Sequence, residues 1–316
     1  MQSISNLKSQ NSTNNINLLN KNNDDKDNNI EYNIRNSKKP ISFIDTINNN
    51  GESFDYAGGL DEDNFKNGFG ILKLNDGSIF KGVFTHGHAN GFGIFSDSKG
   101  DTYKGEFHND EINGYGEYYY KKLSVNCGYW FNSALVGVGL ERWKDSYYSG
   151  CFLNGQKNGI GTYVWKSKSK YEGEWKNDNM NGYGIYHFSD GRKYIGEWKN
   201  NYMDGFGIYL WKNNKKYYGF FKKGLKNGFG IFYLLNNKYV IGQWKDGKQN
   251  GFVKYINEDK IKCGIYNDGR REKWYEDEDK FLYDLLKNNN NQFRKFFEID
   301  IIELEKFLVN NDVYNL

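Results

Sequence analysis

Glycine falls on a grid in this chain, and no other feature limits its fold as severely. One series runs Gly58, Gly82, Gly105, Gly128, Gly150, Gly173, Gly196, Gly219, Gly242 and Gly264, in steps of 22 to 24 residues. A second series of Gly-x-Gly pairs keeps the same step from Gly68/Gly70 to Gly228/Gly230, and ends on Gly251 with Val253 in the partner's place. The two series hold 27 of the 37 glycines. A period of this length marks one supersecondary unit stacked many times.

The unit is clearest as Tyr171-Glu172-Gly173-Glu174-Trp175, a polar turn from Lys176 to Asn181, Gly182-Tyr183-Gly184-Ile185-Tyr186-His187-Phe188, then Ser189-Asp190-Gly191-Arg192. Both apolar pieces alternate with period two and are separated by Asn, Asp and Gly, which predicts one β-hairpin per repeat. Nine such hairpins make a mainly β fold, an elongated single-layer antiparallel meander roughly 85 Å long at about 4.8 Å per strand. A single layer has no second sheet to bury against, so the side chains must supply a core. Aromatic residues make up 18% of the chain. Alternation puts Tyr171, Gly173 and Trp175 on one face, with Gly182, Gly184, Tyr186 and Phe188 opposite them on the partner strand. A strand glycine costs about 0.5 to 1 kcal/mol, whereas a ring burying about 100 Å² over it gains roughly 2.5 kcal/mol. Rings therefore lie flat in the glycine slots and floor a groove. Its candidate partner-binding residues are Tyr103, Phe107, Tyr148, Phe152, Tyr171, Trp175, Tyr194, Trp198, Tyr217, Phe221 and Trp244.

From Tyr56 to Asp268 these residues resemble the MORN repeat, whose pattern is close to Tyr-x-Gly-Glu-Trp, a six-residue turn, Gly-x-Gly and a polar loop. Tyr171 to Lys193 and Tyr194 to Lys216 match it almost throughout. The resemblance implies a non-catalytic extended sheet that associates with membranes or cytoskeletal partners, in some members by gripping a peptide helix. Departures fall at Asn126, Val240 and Lys262 for the leading aromatic, Leu60 for the tryptophan, and Val253 for the second glycine.

Residues 51–273 are thus a repeat domain with flanks of different character. Residues 1–50 hold Asn-rich runs without periodicity and read as disordered, with Pro40 to Ile44 able to add a cap strand. In 274–316 the period turns helical: Phe281, Leu282, Leu285 and Leu286 follow the acidic run Glu276 to Asp279, and Phe293, Phe297, Ile301, Leu304 and Leu308 form a second stripe. These helices either cap the last hairpins or bind a partner, a homodimer included. Asp300, Glu303 and Glu305 argue against a membrane-surface helix.

Composition sets the remaining expectations. No apolar run reaches the roughly 18 residues a spanning helix needs, and Met1 to Asn20 is polar. Cys127, Cys151 and Cys263 form no CxxC pair, which fits free thiols in a reducing compartment. The expected location is cytoplasmic, peripheral at a membrane or the cortical cytoskeleton. Net charge is +3, yet residues 151–250 carry 17 Lys/Arg against 7 Asp/Glu. Lys166, Lys168 and Lys170, Arg192 and Lys193, then Lys212, Lys215 and Lys216 occupy equivalent turns, a row suited to phosphoinositides or other anionic lipids or simply solvated. Nucleic acid is not an expected partner, because the aromatics sit at packing positions.

No cofactor, metal site or catalytic group is expected. Gly242 to Lys248 has phosphate-loop spacing but coincides with a hairpin and is followed by Gln249. His86, His88 and His108 could approach one another at neighbouring turns, but lack a cysteine nearby. The expected function is a non-catalytic scaffold linking membrane-skeleton or cytoskeletal components through the groove and the basic edge. The alternatives are a peripheral lipid-binding module and an accessory subunit whose catalytic domain is on another chain.

Overall fold

Alternating apolar runs become strands throughout. The computed structural model describes residues 55–287 except 122, 237, 258 and 259, and these fall into two units, 55–189 and 190–287. The first holds β1 (Asp55–Leu60), β2 (Lys66–Lys73), β3 (Ile79–Thr85), β4 (His88–Ser96), β5 (Thr102–His108), β6 (Glu111–Tyr120), β7 (Ser124–Phe131), β8 (Ala134–Trp143), β9 (Tyr147–Leu153), β10 (Gln156–Val164), β11 (Lys170–Lys176) and β12 (Asn179–His187). The second holds β13 (Lys193–Lys199), β14 (Tyr202–Leu210), β15 (Lys216–Lys222), β16 (Leu225–Tyr233), β17 (Lys238–Lys245), β18 (Lys248–Asn257), β19 (Lys260–Asn267), β20 (Arg270–Trp274) and helix α1 (Glu278–Lys287). Within each unit every strand pairs antiparallel with the next, giving an open meander. The expectations for residues 1–50, including the Pro40 to Ile44 strand, and for the stripe from Phe293 to Leu308 lie outside the described residues.

Every hairpin after β1–β2 turns on two residues, where the spacing suggests six. Asn177 (φ 48°) and Asp178 (φ 64°) are both left-handed, and Lys176 pairs with Asn179 across them. That is a type I′ turn, whose twist matches the strands it joins and which Asn, Asp and Gly tolerate best. The second turn residue also reaches back one repeat: Asp178 N–H donates to the Lys157 carbonyl at 3.1 Å and Gly247 N–H to that of Lys226 at 2.9 Å. Turns therefore stitch successive hairpins together.

Just past the turn the even-numbered strand bulges. Gly173 pairs with Gly184 and Trp175 with Met180, so a two-residue step on β11 faces a four-residue step on β12. Gly182 sits in this bulge at φ 66°, a conformation that penalises a side chain. The bulge leaves the Tyr183 N–H unpaired by β11, and Glu174 Oε1 accepts it at 2.8 Å. Glu197 does the same for Phe206 at 2.8 Å and Gln243 for Phe252 at 2.9 Å. The acidic residue of the repeat is thus a side-chain cap for the bulge. The two glycines of a pair also differ, the first supplying conformation and the second supplying space. Only the second lines the ring face as expected. Glu197→Gln keeps the acceptor and is expected to leave the urea midpoint unchanged. Glu197→Ala leaves the Phe206 N–H to water, and should lower stability by about 1 kcal/mol.

The second glycine makes room for a ring. Tyr171 lies across Gly173 and Gly184, so that a Cβ on Gly184 would meet its ring at 2.5 Å, and the Tyr171 hydroxyl donates to the Glu174 carbonyl at 2.9 Å. Burial raises the phenols of Tyr171 and Tyr217 well above their ordinary range. Trp175 stands edge-on to Tyr171 at 5.2 Å and to Tyr148 at 5.3 Å, and its Nε1 donates to the Gly161 carbonyl at 3.1 Å. Each repeat is therefore locked to the one before it. In the second unit the ladder runs Trp198, Tyr194, Phe221, Tyr217, Trp244 with centroids 5.2 to 5.7 Å apart.

The departures from the pattern are filled by other means. Where Val240 replaces the tyrosine, the slot opposite Gly242 is occupied by Val253, which is fully buried. Where Asn126 replaces it, Leu135 closes over Gly128 and Gly139 and Phe152 over Gly139, so that a Cβ on either glycine would meet these side chains at 3.1 to 3.2 Å. Both repeats keep their strand pairing.

Candidate interaction surfaces

The ring ladder lies inside each unit. None of the eleven nominated groove residues, Tyr103, Phe107, Tyr148, Phe152, Tyr171, Trp175, Tyr194, Trp198, Tyr217, Phe221 and Trp244, is more than 8% exposed. Each ring is covered by its neighbours along the ladder, which makes these side chains the core that fixes strand register.

The basic residues divide by surroundings. Lys166 and Lys168 are exposed at the β10–β11 turn, with Lys166 3.7 Å from Asp145, while Lys170 pairs with Glu172 at 2.8 Å. Arg192 is half-buried, held by Asp190 at 2.7 Å and by the Tyr209 hydroxyl at 2.9 Å. Lys212 is exposed at the β14–β15 turn, whereas Lys193, Lys215 and Lys216 are half-buried. Lys166, Lys168 and Lys212 are the members most open to a ligand.

The opposite face carries a surface that the repeat spacing did not flag. The residue between the two glycines of each pair points away from the rings. In the first unit this column is Phe69, Phe92, Tyr115, Val138, Ile160 and Tyr183, all at least half exposed. One such residue is ordinary, but six at a constant step form an apolar stripe of the kind that marks binding sites. Its signal in the sequence was the apolar identity of x in each Gly-x-Gly.

Two buried lysines were also missed. Lys157 and Lys226 occupy the core position two residues past the turn, where other repeats have Ile112, Leu135, Met180 and Met203. The Lys226 ammonium faces the rings of Phe232, Trp244, Tyr217 and Trp211 at 4.0, 4.5, 4.8 and 5.3 Å. Burial pushes its pKa down to about 7, and no carboxylate pairs with it among the described residues. Lys157 sits in a similar cage but has Glu141 at 3.5 Å and Asp178 at 4.0 Å.

The histidines do not converge. His86 binds Asp61 at 2.7 Å, His88 binds Asp110 at 2.6 Å, and His108 lies 3.3 Å from Asn90. Among the described residues no group of three or more His, Cys, Asp or Glu could hold a metal ion, and no helix is long and apolar enough to cross a membrane. Gly242 to Lys248 is the end of β17, a turn at Asp246-Gly247 and the start of β18.

A profile of the MORN repeat matches residues 62–79, 80–102, 103–125, 148–170, 171–191, 194–216, 217–236 and 241–256, more than half of the chain. The chain belongs to the MORN repeat family. It is accordingly a repeat scaffold of the protein-binding kind. The profile passes over 126–147, the MORN unit in which Asn126 stands for the aromatic and Leu135 fills the slot. No curated protein matches this MORN sequence significantly. Among solved structures, the TCP10 domain of Danio rerio CPAP is 8% identical with a TM-score of 0.36, over 66% of this chain and 99% of that one. The Drosophila melanogaster SAS-4 TCP domain, solved in complex with a proline-rich motif of Ana2, is 11% identical with a TM-score of 0.25, over 60% and 90%. Likeness at that level says nothing about the partner of the MORN chain.

Proposed function

We propose that this protein is a non-catalytic cytoplasmic scaffold that joins a membrane-skeleton or cytoskeletal protein through the open face of its sheet. The exposed column from Phe69 to Tyr183 carries the reading. Each apolar side chain stands between two glycines, so a partner can lie close to the backbone, and the constant step suits an amphipathic helix laid across the strands. Beneath it the ring ladder keeps the sheet rigid, which lowers the entropy lost on binding. Co-purification from native cells tests this directly. Phe92→Ser with Tyr115→Ser changes only exposed side chains and should reduce partner recovery about ten-fold, whereas unchanged recovery removes the open face from the account.

A second reading is favoured by the exposed turn lysines. Anionic vesicles would be held at about 1 kcal/mol per lysine near the surface. Binding is expected to rise with phosphoinositide content, to fall with salt, and to be lost in the Lys166→Glu, Lys168→Glu, Lys212→Glu variant. Equal binding to neutral vesicles would exclude it.

A further inference from the structure

Helix α1 demonstrates what the open face can hold. Its Phe281 and Leu285, at i and i+4, form one buried cluster with Phe229, Ile231, Ile241 and Phe252 of β16, β17 and β18, and Phe281 stands edge-on to Phe252 at 5.5 Å. Glu278, three residues before Phe281, forms an ion pair with Lys254 of β18. Under this cover the four strand residues are 2 to 6% exposed. The first unit builds the same seat on β2, β3 and β4. Ile231 pairs with Ile241 and Ile241 with Lys254; in the first unit Ile71 pairs with Lys81 and Lys81 with Ile94. Phe69 and Phe92, each following the first glycine of its repeat's pair, match Phe229 and Phe252. Both seats thus hold two phenylalanines, two isoleucines and one lysine, with the lysine moved by one strand, about 4.8 Å. In the first unit, however, Phe69, Phe92 and Ile71 are 69, 61 and 39% exposed, and Lys81 is exposed beside them.

We propose that β2, β3 and β4 form a docking site for an acidic amphipathic helix of another protein, one that carries Asp or Glu three residues before an aromatic side chain and an aliphatic side chain four residues after it. The assignment rests on the open-face reading above and names the chemistry of its partner. Helix α1 supplies the pattern as Glu278, Phe281 and Leu285. Laid on the first unit in the same way, the aromatic side chain packs against Phe69 and Phe92 while the acid reaches Lys81. No other Asp or Glu in this chain is followed by phenylalanine at the third position and leucine at the seventh. That segment already has its own seat, so the complement comes from another protein. Charge selects among amphipathic helices, because one with lysine in place of the acid would meet Lys81 and be repelled.

Photo-crosslinking to the full chain tests it. The probe is a synthetic peptide with the sequence of residues 276–287 and p-benzoylphenylalanine in place of Phe281. Peptide mapping is expected to find the crosslink within 66–96, and Lys81→Glu should lower its yield about five-fold. Lys99→Glu makes the same charge change at an exposed position of the β4–β5 turn and should leave the yield unchanged. Far-UV circular dichroism confirms that both variants fold. A crosslink confined to 225–257 would mean that the probe only exchanges with α1, and would overturn the proposal. Absence of any crosslink would overturn it too, as would equal losses in the two variants. Partner recovery from native cells separates this proposal from the wider reading. Recovery lost with Phe92→Ser and Tyr115→Ser but kept with Lys81→Glu would retain the open face and overturn the acidic helix, whereas recovery indifferent to all three would remove both.

Discussion

Alanine at Gly207 is expected to cost about 3–5 kcal/mol, the penalty of losing a buried ring from a packed core. The added Cβ would lie 2.5 Å from ring carbons of Tyr194, whose ring cannot yield because Trp198 and Phe221 hold it edge-on at 5.2 Å on both sides. Relief comes only by expelling the ring, which also breaks the hydrogen bond from its hydroxyl to the Glu197 carbonyl at 3.0 Å. Gly224 provides the contrast. It sits in a turn at φ 80° with nothing within 4 Å of an added Cβ, so alanine there meets only backbone strain, about 1–2 kcal/mol. Urea unfolding of the two variants reads the difference. Similar losses at both positions would mean that the second glycine of the pair is kept for its backbone rather than for space.

The two caged lysines should respond to the same substitution with opposite signs. At Lys226 the pKa in the folded state, about 7, lies below the ordinary lysine value of 10.5. The folded form therefore disfavours the proton that the unfolded chain binds. The penalty is complete below pH 7 and fades as pH rises to 10.5, so stability climbs with pH across that window, by at most about 1.4 kcal/mol per unit. Four ring faces offset about 2 kcal/mol of the penalty by attracting the cation. Lys226→Met, which copies Met180 and Met203, should raise stability at pH 7 by about 1–3 kcal/mol and flatten the pH dependence between 7 and 10.5. Lys157→Met should instead cost about 3–5 kcal/mol, since it strands the buried Glu141 beside Asp178 without their cation. Denaturation at pH 6.5, 8 and 9.5 checks both. A Lys226→Met chain as pH-sensitive as wild type would place the titration elsewhere.

Much of this fold was legible because its decisive interactions are local. Tyr171 packs on a glycine two residues away and bonds to a carbonyl three residues away, so periodicity in the sequence is periodicity in the contacts. The turn was misjudged for an equally physical reason. Lys176 to Asn181 is polar throughout except Met180, and polarity cannot separate a two-residue turn from the bulge that follows it. The work of Glu174 was hidden, because its partner is a backbone N–H nine residues on rather than a side chain. Lys226 reads as a turn residue until Trp211, Phe232 and Trp244 are seen to enclose it. Of the candidate surfaces, the ring residues were identified as a set but lie in the core, while the open face went unnoticed because its residues vary in type and share only a position.

The ring-in-slot account is tested most directly by a double-mutant cycle at Tyr194 and Gly207. The chain contains its own precedent in Val240 and Val253, where the ring and the glycine are both absent and the slot is full. Tyr194→Val alone leaves a cavity and Gly207→Val alone forces a clash, so each should be strongly destabilising. Together they should restore packing, with the double variant more stable than the sum of the single losses by at least about 1 kcal/mol. Additivity within about 0.5 kcal/mol would mean that ring and glycine do not share the space, and would contradict the account.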